Sequence, residues 1–444
     1  MITMKFGGSS VADANRIRHV VDIVDMHRER TPVVVLSAMA DTTDHLLEAA
    51  NTAIQTGVVG IAKITGLHIK TMQELGVEWI EGELAILFNE LHALVTGIAL
   101  TRELTGRAKD HIVSFGERLS VRVVAAYFNK LDIQAKAIDA WDIGFVSDSN
   151  FTAADLFKES WTAIPKYINP VLEAGFLPVV TGFIAKDGSG RITTLGRGGS
   201  DRSATIIAAA CGAEEAQVWK DVDGILTADP RIVPDARPVK EVTYDEAAEL
   251  AYFGAQVLHP RAMRPCMNTG TPVLVKNSYN PRAPGTRIVP TLAERPQPVV
   301  AISTRKNILL VDIVSTRMLG QAGFLSGVFL CFAQQGISVD MVATSEVSIS
   351  LTLDIAYDIT ALTEELSKIA SVAVKTGKAI VTIIGNVRRS SEILKRAFGL
   401  CEKLNIQVQM ISQGASKVNI SFIVNEEQAT EVVRGLHQEF FGIS

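Results

Sequence analysis

Over roughly the first two thirds of the chain, unbroken apolar runs alternate with stretches of helical periodicity. MITMKF and PVVVL (32–36) leave almost no polar position to face water, as expected of strands in a parallel sheet covered on both faces. Between them, SVADANRIRHVVDIVDMHRER has helical spacing. Residues 45–107 read as mostly helical, broken at Gly57, Gly60, Gly66 and Gly76, and a long helix is expected over 110–130. Further strands are predicted at 133–138, 176–185, 215–219 and 272–275, with a helix from Tyr244 whose start carries a capping box, Thr243 and Glu246. This alternation predicts an α/β domain with a mostly parallel central sheet.

The pattern then changes. NPRAPGTRIVP and ERPQP, within 280–298, hold too many prolines to continue a core element and read as a linker. Beyond it GISVDMVATSEVSISLTLD (336–354) matches NIQVQMISQGASKVNISFIVN (405–425) at a shift of 69 positions, pairing Ile337 with Ile406 and Leu351 with Ile420. A strand (308–314 or 380–384) and a helix (325–335 or 392–404) precede each copy. A second helix comes after it, near Thr360 or Glu427. The unit is βαββαβ, a ferredoxin-like pattern present twice. The expected division is 1–290, a linker at 291–306, and two small domains at 307–376 and 377–444, with strands open to interleaving between the two.

Two glycine turns carry the candidate chemistry. KFGGSS (5–10) joins the first strand to a helix, and GRGGSD (196–201) leads into SATIIAAACGA. Each could deliver backbone N–H groups at a helix N-terminus, where the macrodipole favours anions. Lys5 is a cation in the first turn, and Ser9 and Ser10 can cap the helix beyond it. Alone, this turn reads equally as a plain strand-to-helix connection with a surface lysine. Arg197 offers a fork for a carboxylate, while Asp201 serves either a ligand or merely its own helix dipole. Glu117 in SFGERLS either holds an ammonium group or pairs with Arg118 along the helix. KDVDGILTADPR (220–231) comes directly after a strand, where ligands sit in α/β sheets.

Spacing excludes several chemistries. There is no GxxxxGK[ST] and no completed GxGxxG, and the eight histidines show no HExxH. The glycine-serine stretch at 188–190 reads as a hairpin turn and not a nucleophile elbow. Phosphoryl transfer, which needs cations and N–H dipoles more than covalent help, suits what remains. A net charge of −5 without runs of like charge gives no reason to expect nucleic-acid or membrane-surface binding. Cys211, Cys266, Cys331 and Cys401 lack CxxC spacing and are expected to be buried reduced thiols. No basic-then-apolar leader and no membrane-length apolar run are apparent, so a cytoplasmic location is expected.

Taken together, KFGGSS, VVLSAMA (34–40), SFGERLS (114–120), TLGRGGSD (194–201), WKDVDGILTADPR (219–231) and YFGAQVLHP (252–260) closely resemble the aspartate kinase branch of the amino acid kinase family, in the family's order. The repeat resembles its tandem ACT domains, with STRMLGQAGFL fitting the first, and KNSYNPRAPGT resembles the monofunctional branch. The resemblance covers nearly the whole chain. It implies a three-layer sandwich followed by two regulatory βαββαβ domains. The implied reaction moves the γ-phosphoryl group of ATP to the β-carboxylate of L-aspartate, the first step toward lysine, threonine and methionine.

The resemblance also assigns roles. Lys5 neutralises the moving phosphoryl group while Gly7, Gly8 and Ser9 cradle phosphates, with Ser37 lining their pocket. Thr43 faces the substrate, Glu117 and Asp201 take its ammonium, Arg197 its α-carboxylate, and Phe183 walls the pocket. Lys220, Asp221, Leu226 and Arg231 hold the nucleotide, with Gln256 and Val257 nearby. Magnesium rides on the phosphates, without a dedicated protein site. Many family members have Thr, Tyr and Lys in place of Lys220, Leu226 and Gln256, so Lys220 is expected to replace the charge absent at Gln256.

The resemblance to ACT domains further implies an amino-acid effector at Met318, Gln321, Gly323, Phe324 and Leu325, with Ser338, Val339 and Asp340, and Thr344, Ser345 and Glu346. Asp340 and Glu346 suit a cationic side chain, which favours lysine over threonine; capping of strands and helices is the plain alternative. The second copy has Gln407, Gln409 and Gly414 at the matching places and is expected to pack without ligand. Such paired repeats imply a homodimer or larger homo-oligomer. The rivals are another acid kinase, acting on glutamate or acetylglutamate, and an amino-acid sensor whose kinase has decayed. The paired motifs and the presence of Lys5, Arg197 and Asp201 argue against both.

Overall fold

The computed structural model describes residues 1–252, 258–293, 295, 297–318, 322–385, 387–413 and 418–442. They fall into two compact units. The first comprises Met1–Ile225, Lys240–Tyr244 and Val257–Leu292; the second comprises Leu226–Val239, Asp245–Gln256 and Ala293–Ser444. Two stretches expected in the first domain therefore belong with the repeat region.

In the first unit the strands are β1 (Ile2–Phe6), β2 (Pro32–Leu36), β3 (Ala135–Ile138), β4 (Val146–Ser147), β5 (Leu177–Thr181), β6 (Ile184–Asp187), β7 (Ile192–Thr194), β8 (Glu215–Lys220), β9 (Glu241–Thr243), β10 (Val273–Asn277) and β11 (Thr286–Val289). Eight of them form one sheet, ordered β3-β5-β2-β1-β8-β10-β11-β9 and parallel except at β10–β11. β4, β6 and β7 make a small separate sheet. The helices of this part of the chain are α1 (Ala14–Asp25), α2 (Thr42–Thr56), α3 (Ala62–Leu75), α4 (Glu81–Thr101), α5 (Gly106–Lys130), α6 (Lys158–Glu173), α7 (Gly199–Ala210), α8 (Tyr244–Tyr252) and α9 (Pro260–Thr269). Alternation along β2 explains its unbroken apolar run. Val34 and Leu36 join a core with α1–α5, while Val33 and Val35 join a second core with α6 and α7 on the opposite face.

Local details depart from the expectations. Asp13, not Ser9 or Ser10, caps α1 by accepting from the Arg16 amide. Gly66 lies inside α3 and breaks nothing. The proline-rich stretch after residue 280 contains β11, which pairs antiparallel with β10. Glu78–Thr101 is, contrary to expectation, long and apolar enough to cross a membrane by length and composition alone. Its Leu84, Leu87, Leu91, Val95 and Ile98 pack in the first core, as in a core helix.

The second unit is built on β12 (Val299–Val314), β13 (Val342–Thr344), β14 (Ser348–Asp354), β15 (Ser371–Gly385), β16 (Met410–Ser412) and β17 (Asn419–Asn425), in the antiparallel order β13-β14-β12-β15-β17-β16. Its helices are α10 (Phe324–Gln334), α11 (Thr360–Ser367), α12 (Ser390–Lys403) and α13 (Glu426–Phe441). β12 and β15 are long because each serves both repeats. The first repeat uses 308–314 of β12 against 371–378 of β15. The second uses 378–385 of β15 and borrows its last strand from 299–305, upstream of the first repeat. The segment expected to be a linker thus holds half of β12, and the two domains are interleaved. Ala228 and Val233 join the second repeat's core beside Val432 and Phe440, and Thr227 Oγ1 meets His437 Nε2 at 2.9 Å.

Candidate active site

β1, β2, β5 and β8 end along one edge of the parallel sheet, the usual place for a ligand in such folds. Side-chain alternation in β1 sends Ile2, Met4 and Phe6 into the first core and Lys5 to the opposite face, toward α7. Lys5 is only 6% exposed, and its Nζ stands 2.6 Å from Asp201 Oδ1. The turn after β1 runs against residues 38–40. A Cβ on Gly8 would lie 2.8 Å from the Ala38 carbonyl oxygen, so only glycine fits.

The second glycine turn faces the first. Gly198, in the left-handed region at φ 72°, is the N-cap of α7, which has no side-chain cap. The Gly199 amide donates to the Gly196 carbonyl at 2.9 Å, and the amides that follow it in the first turn of α7 face an anion without a side-chain cap in the way. Phe183 also has a positive φ, 69°, costly for a large side chain. Ser203 Oγ holds that conformation by accepting from the Phe183 amide at 3.0 Å. Arg197 stands exposed at the rim and makes no hydrogen bond or ion pair among the described residues, leaving its guanidinium available.

These turns enclose a cavity of about 520 Å³ lined by Lys5, Gly8, Ser37, Thr43, Glu117, Phe183, Arg197 and Asp201, among others. Eight of the expected residues are therefore brought together. Gly7 and Ser9 share the first turn without lining the cavity. Glu117 is buried and does not pair with Arg118, which meets Glu90 and Asp139 instead. Burial pushes the Glu117 carboxyl up to about 8 against the pull of the Ala38 amide and Lys5, and its Oε2 has no hydrogen-bond partner among the described residues. Burial acts in the same direction on Asp201, but the charges of Lys5 and Lys220 outweigh it and hold this carboxyl below its ordinary value. One cavity thus holds a protonated acid with a free oxygen and an ionised acid held between two ammonium groups.

Asp110 went unnoticed in the sequence. It is buried in the cavity wall, accepting from the Thr152 and Thr194 amides at 2.8 and 3.0 Å and from the Thr194 hydroxyl at 2.8 Å. It thereby fixes the strand end that leads into Gly196 and Arg197. The available signal was its position two turns before Glu117, on the same face of α5.

The residues expected to hold the nucleotide divide between the two units. Lys220 points to Asp201, with Nζ 3.1 Å from Oδ2, and Asp221 is exposed. Leu226 and Arg231 belong to the second unit, where Arg231 is 88% exposed and paired with Asp229. Gln256 and Val257 lie outside the described residues.

In the first repeat, Met318, Phe324 and Val339 pack around one core, Gly323 caps α10, and Leu325 is exposed. Thr344, which ends β13, and Ser338, Ser345 and Glu346 on the loops beside it are exposed. Asp340 is already engaged, with Oδ1 accepting from Tyr252 at 2.6 Å and from Arg305 at 3.0 Å, while its buried Oδ2 has no hydrogen-bond partner among the described residues. Gln321 and Gly414 lie outside the described residues. All four cysteines are free; Cys266 and Cys401 are buried as expected, but Cys211 and Cys331 are partly exposed.

Comparison with known proteins matches residues 1–277 to the amino acid kinase family and residues 311–363 and 381–440 to the ACT domain. The chain is 50% identical to aspartokinase 1, chloroplastic, of Arabidopsis thaliana, over 99% of this chain and 80% of that one. It is 34% identical to E. coli aspartokinase III crystallised with aspartate and ADP in an R-state, with a TM-score of 0.82 over 99% of this chain and 100% of that one. The same E. coli enzyme crystallised with lysine and aspartate in a T-state gives a TM-score of 0.81 at 34% identity, over 99% of each chain.

Proposed function

The chain belongs to the amino acid kinase family, among the aspartokinases with paired ACT domains, and on that premise we propose that it phosphorylates the β-carboxylate of L-aspartate from ATP. The observation that carries this reading is the single cavity in which Lys5, Asp201, Glu117 and Arg197 converge. A carboxylate nucleophile is already ionised at neutral pH, so no general base is needed, and catalysis rests on positioning and charge. Lys5 neutralises the phosphoryl group in flight, and the first amides of α7 add N–H dipoles. Arg197 takes the α-carboxylate as a bidentate partner, and Glu117 and Asp201 take the ammonium. The product is an acyl phosphate, 4-phospho-L-aspartate, on the way to lysine, threonine and methionine.

Magnesium would neutralise phosphate charge when bound. Asp201 is taken up by two ammonium groups and Glu117 is held protonated, so the donor set favours an ion carried by the phosphates themselves.

Lysine is the effector we favour. The similar E. coli enzyme was crystallised with it, and the free, buried Oδ2 of Asp340 suits an ammonium group. The edge strands β13 and β16 support assembly of at least a dimer through the ACT domains.

The test incubates the protein with MgATP and hydroxylamine, which traps acyl phosphates as hydroxamates. Hydroxamate is expected with aspartate and not with glutamate or acetylglutamate. None with aspartate overturns the assignment, and a rate indifferent to lysine overturns the effector.

A further inference from the structure

Lys220 ends β8, the strand beside β1. The parallel register sets Lys5 against Val218, and side chains two apart share a face, so Lys220 emerges on the same side as Lys5. There the two ammonium groups divide one carboxylate. Lys5 stands 2.6 Å from Asp201 Oδ1, and Lys220 donates to Oδ2 at 3.1 Å. The backbone beneath Lys220 is pinned, because its carbonyl accepts from both the amide and the hydroxyl of Ser278. Ser278 is bonded in turn to Ser10 of the opening turn, with 2.9 Å between their hydroxyl oxygens.

We propose that Lys220 is a positioning residue for the amino-acid half of the site, acting through Asp201 and not through the nucleotide. This rests on the aspartate kinase reading. When phosphates draw Lys5 away, Oδ1 becomes free for the substrate ammonium. Lys220 keeps Oδ2 and holds the carboxylate ionised and aimed. Without Lys220, a buried acid would face the cavity with no fixed partner, and its affinity for the substrate would fall.

The test is two-substrate kinetics on Lys220→Met, Lys220→Gln and Lys220→Arg. Both neutral variants should raise KM for aspartate about tenfold while KM for ATP stays within about twofold, and Lys220→Arg should restore most of the loss. A tenfold rise in KM for ATP with KM for aspartate unchanged overturns the proposal. If the wild-type protein makes no aspartyl hydroxamate, the functional reading fails first. Calorimetric MgATP binding then decides the remainder: equal affinity of wild type and Lys220→Met supports an acceptor-side role, and weaker binding by the variant excludes it.

Discussion

Lys5 Nζ stands 2.6 Å from Asp201 Oδ1, and each side chain is less than a tenth exposed. A charge pair this deep is costly to desolvate, and a second ammonium, that of Lys220, offsets part of that cost at the other carboxylate oxygen. In the function proposed above, the arrangement stores a cation where phosphate charge would arrive.

Backbone contact between the first turn and residues 38–40 makes Gly8 irreplaceable. Gly8→Ala places a methyl 2.8 Å from one carbonyl oxygen and 3.1 Å from another, neither able to swing aside. The variant should lose roughly 1–3 kcal/mol of stability, read as a lower denaturant midpoint, together with most activity. A midpoint equal to wild type would show that the turns separate easily.

Glu117 predicts how aspartate binding depends on pH. The free site holds a proton on this carboxyl up to about pH 8, and an arriving ammonium must displace it. KM for aspartate should fall as pH rises from 6 to 8, by up to about tenfold per unit, and Glu117→Gln should raise KM and flatten the trend. An unfolded Glu titrates near 4.5, so the folded state binds the extra proton between 4.5 and 8. Stability of the ligand-free protein therefore declines as pH rises through that window, and Glu117→Gln should remove that decline. A KM constant from pH 6 to 8 would contradict the role.

His68 predicts acid sensitivity. It is fully buried, with Nδ1 against the Ile64 carbonyl at 2.8 Å, and burial lowers its value from 6.5 to about 4. The unfolded chain takes up a proton between those values while the folded chain does not. Stability is thus lost as pH falls below 6.5, by up to about 1.4 kcal/mol per unit. Relative to its midpoint at pH 7, the urea midpoint at pH 5 should be higher in His68→Leu than in wild type; an unchanged signed difference would exclude His68 as the cause.

The proposed lysine effector would share Asp340 with Tyr252 and Arg305, which hold Oδ1 and leave Oδ2 for the ammonium. Tyr252→Phe removes a donor that draws on the same carboxylate charge and should tighten lysine binding severalfold by calorimetry, in line with a hydrogen bond to a charged group. Unchanged or weaker binding would show that lysine does not use Asp340.

Much of this was legible in the sequence where the physics is local. The buried run of β2, the two glycine turns and the repeat announced themselves through patterning, and eight residues expected at the site line one cavity. What escaped depends on distant partners. Residues 299–305 sit just after a proline cluster, and only pairing with 380–385 makes them a strand. The role of Asp110 depends on Thr152 and Thr194, far along the chain. The pattern ends the strand at Trp219 and puts Lys220 in the loop, but strand register turns its side chain to Asp201.

If Lys5 neutralises the phosphoryl group in flight, its loss must strike turnover and not the fold. The decisive measurement is the rate of aspartyl hydroxamate formation by Lys5→Ala at saturating MgATP and aspartate, in a preparation whose circular dichroism matches wild type. A fall of on the order of a hundredfold or more is predicted, the scale of losing one preorganised charge from a transition state. Retention of more than about a tenth of the rate would contradict the electrostatic role assigned to Lys5.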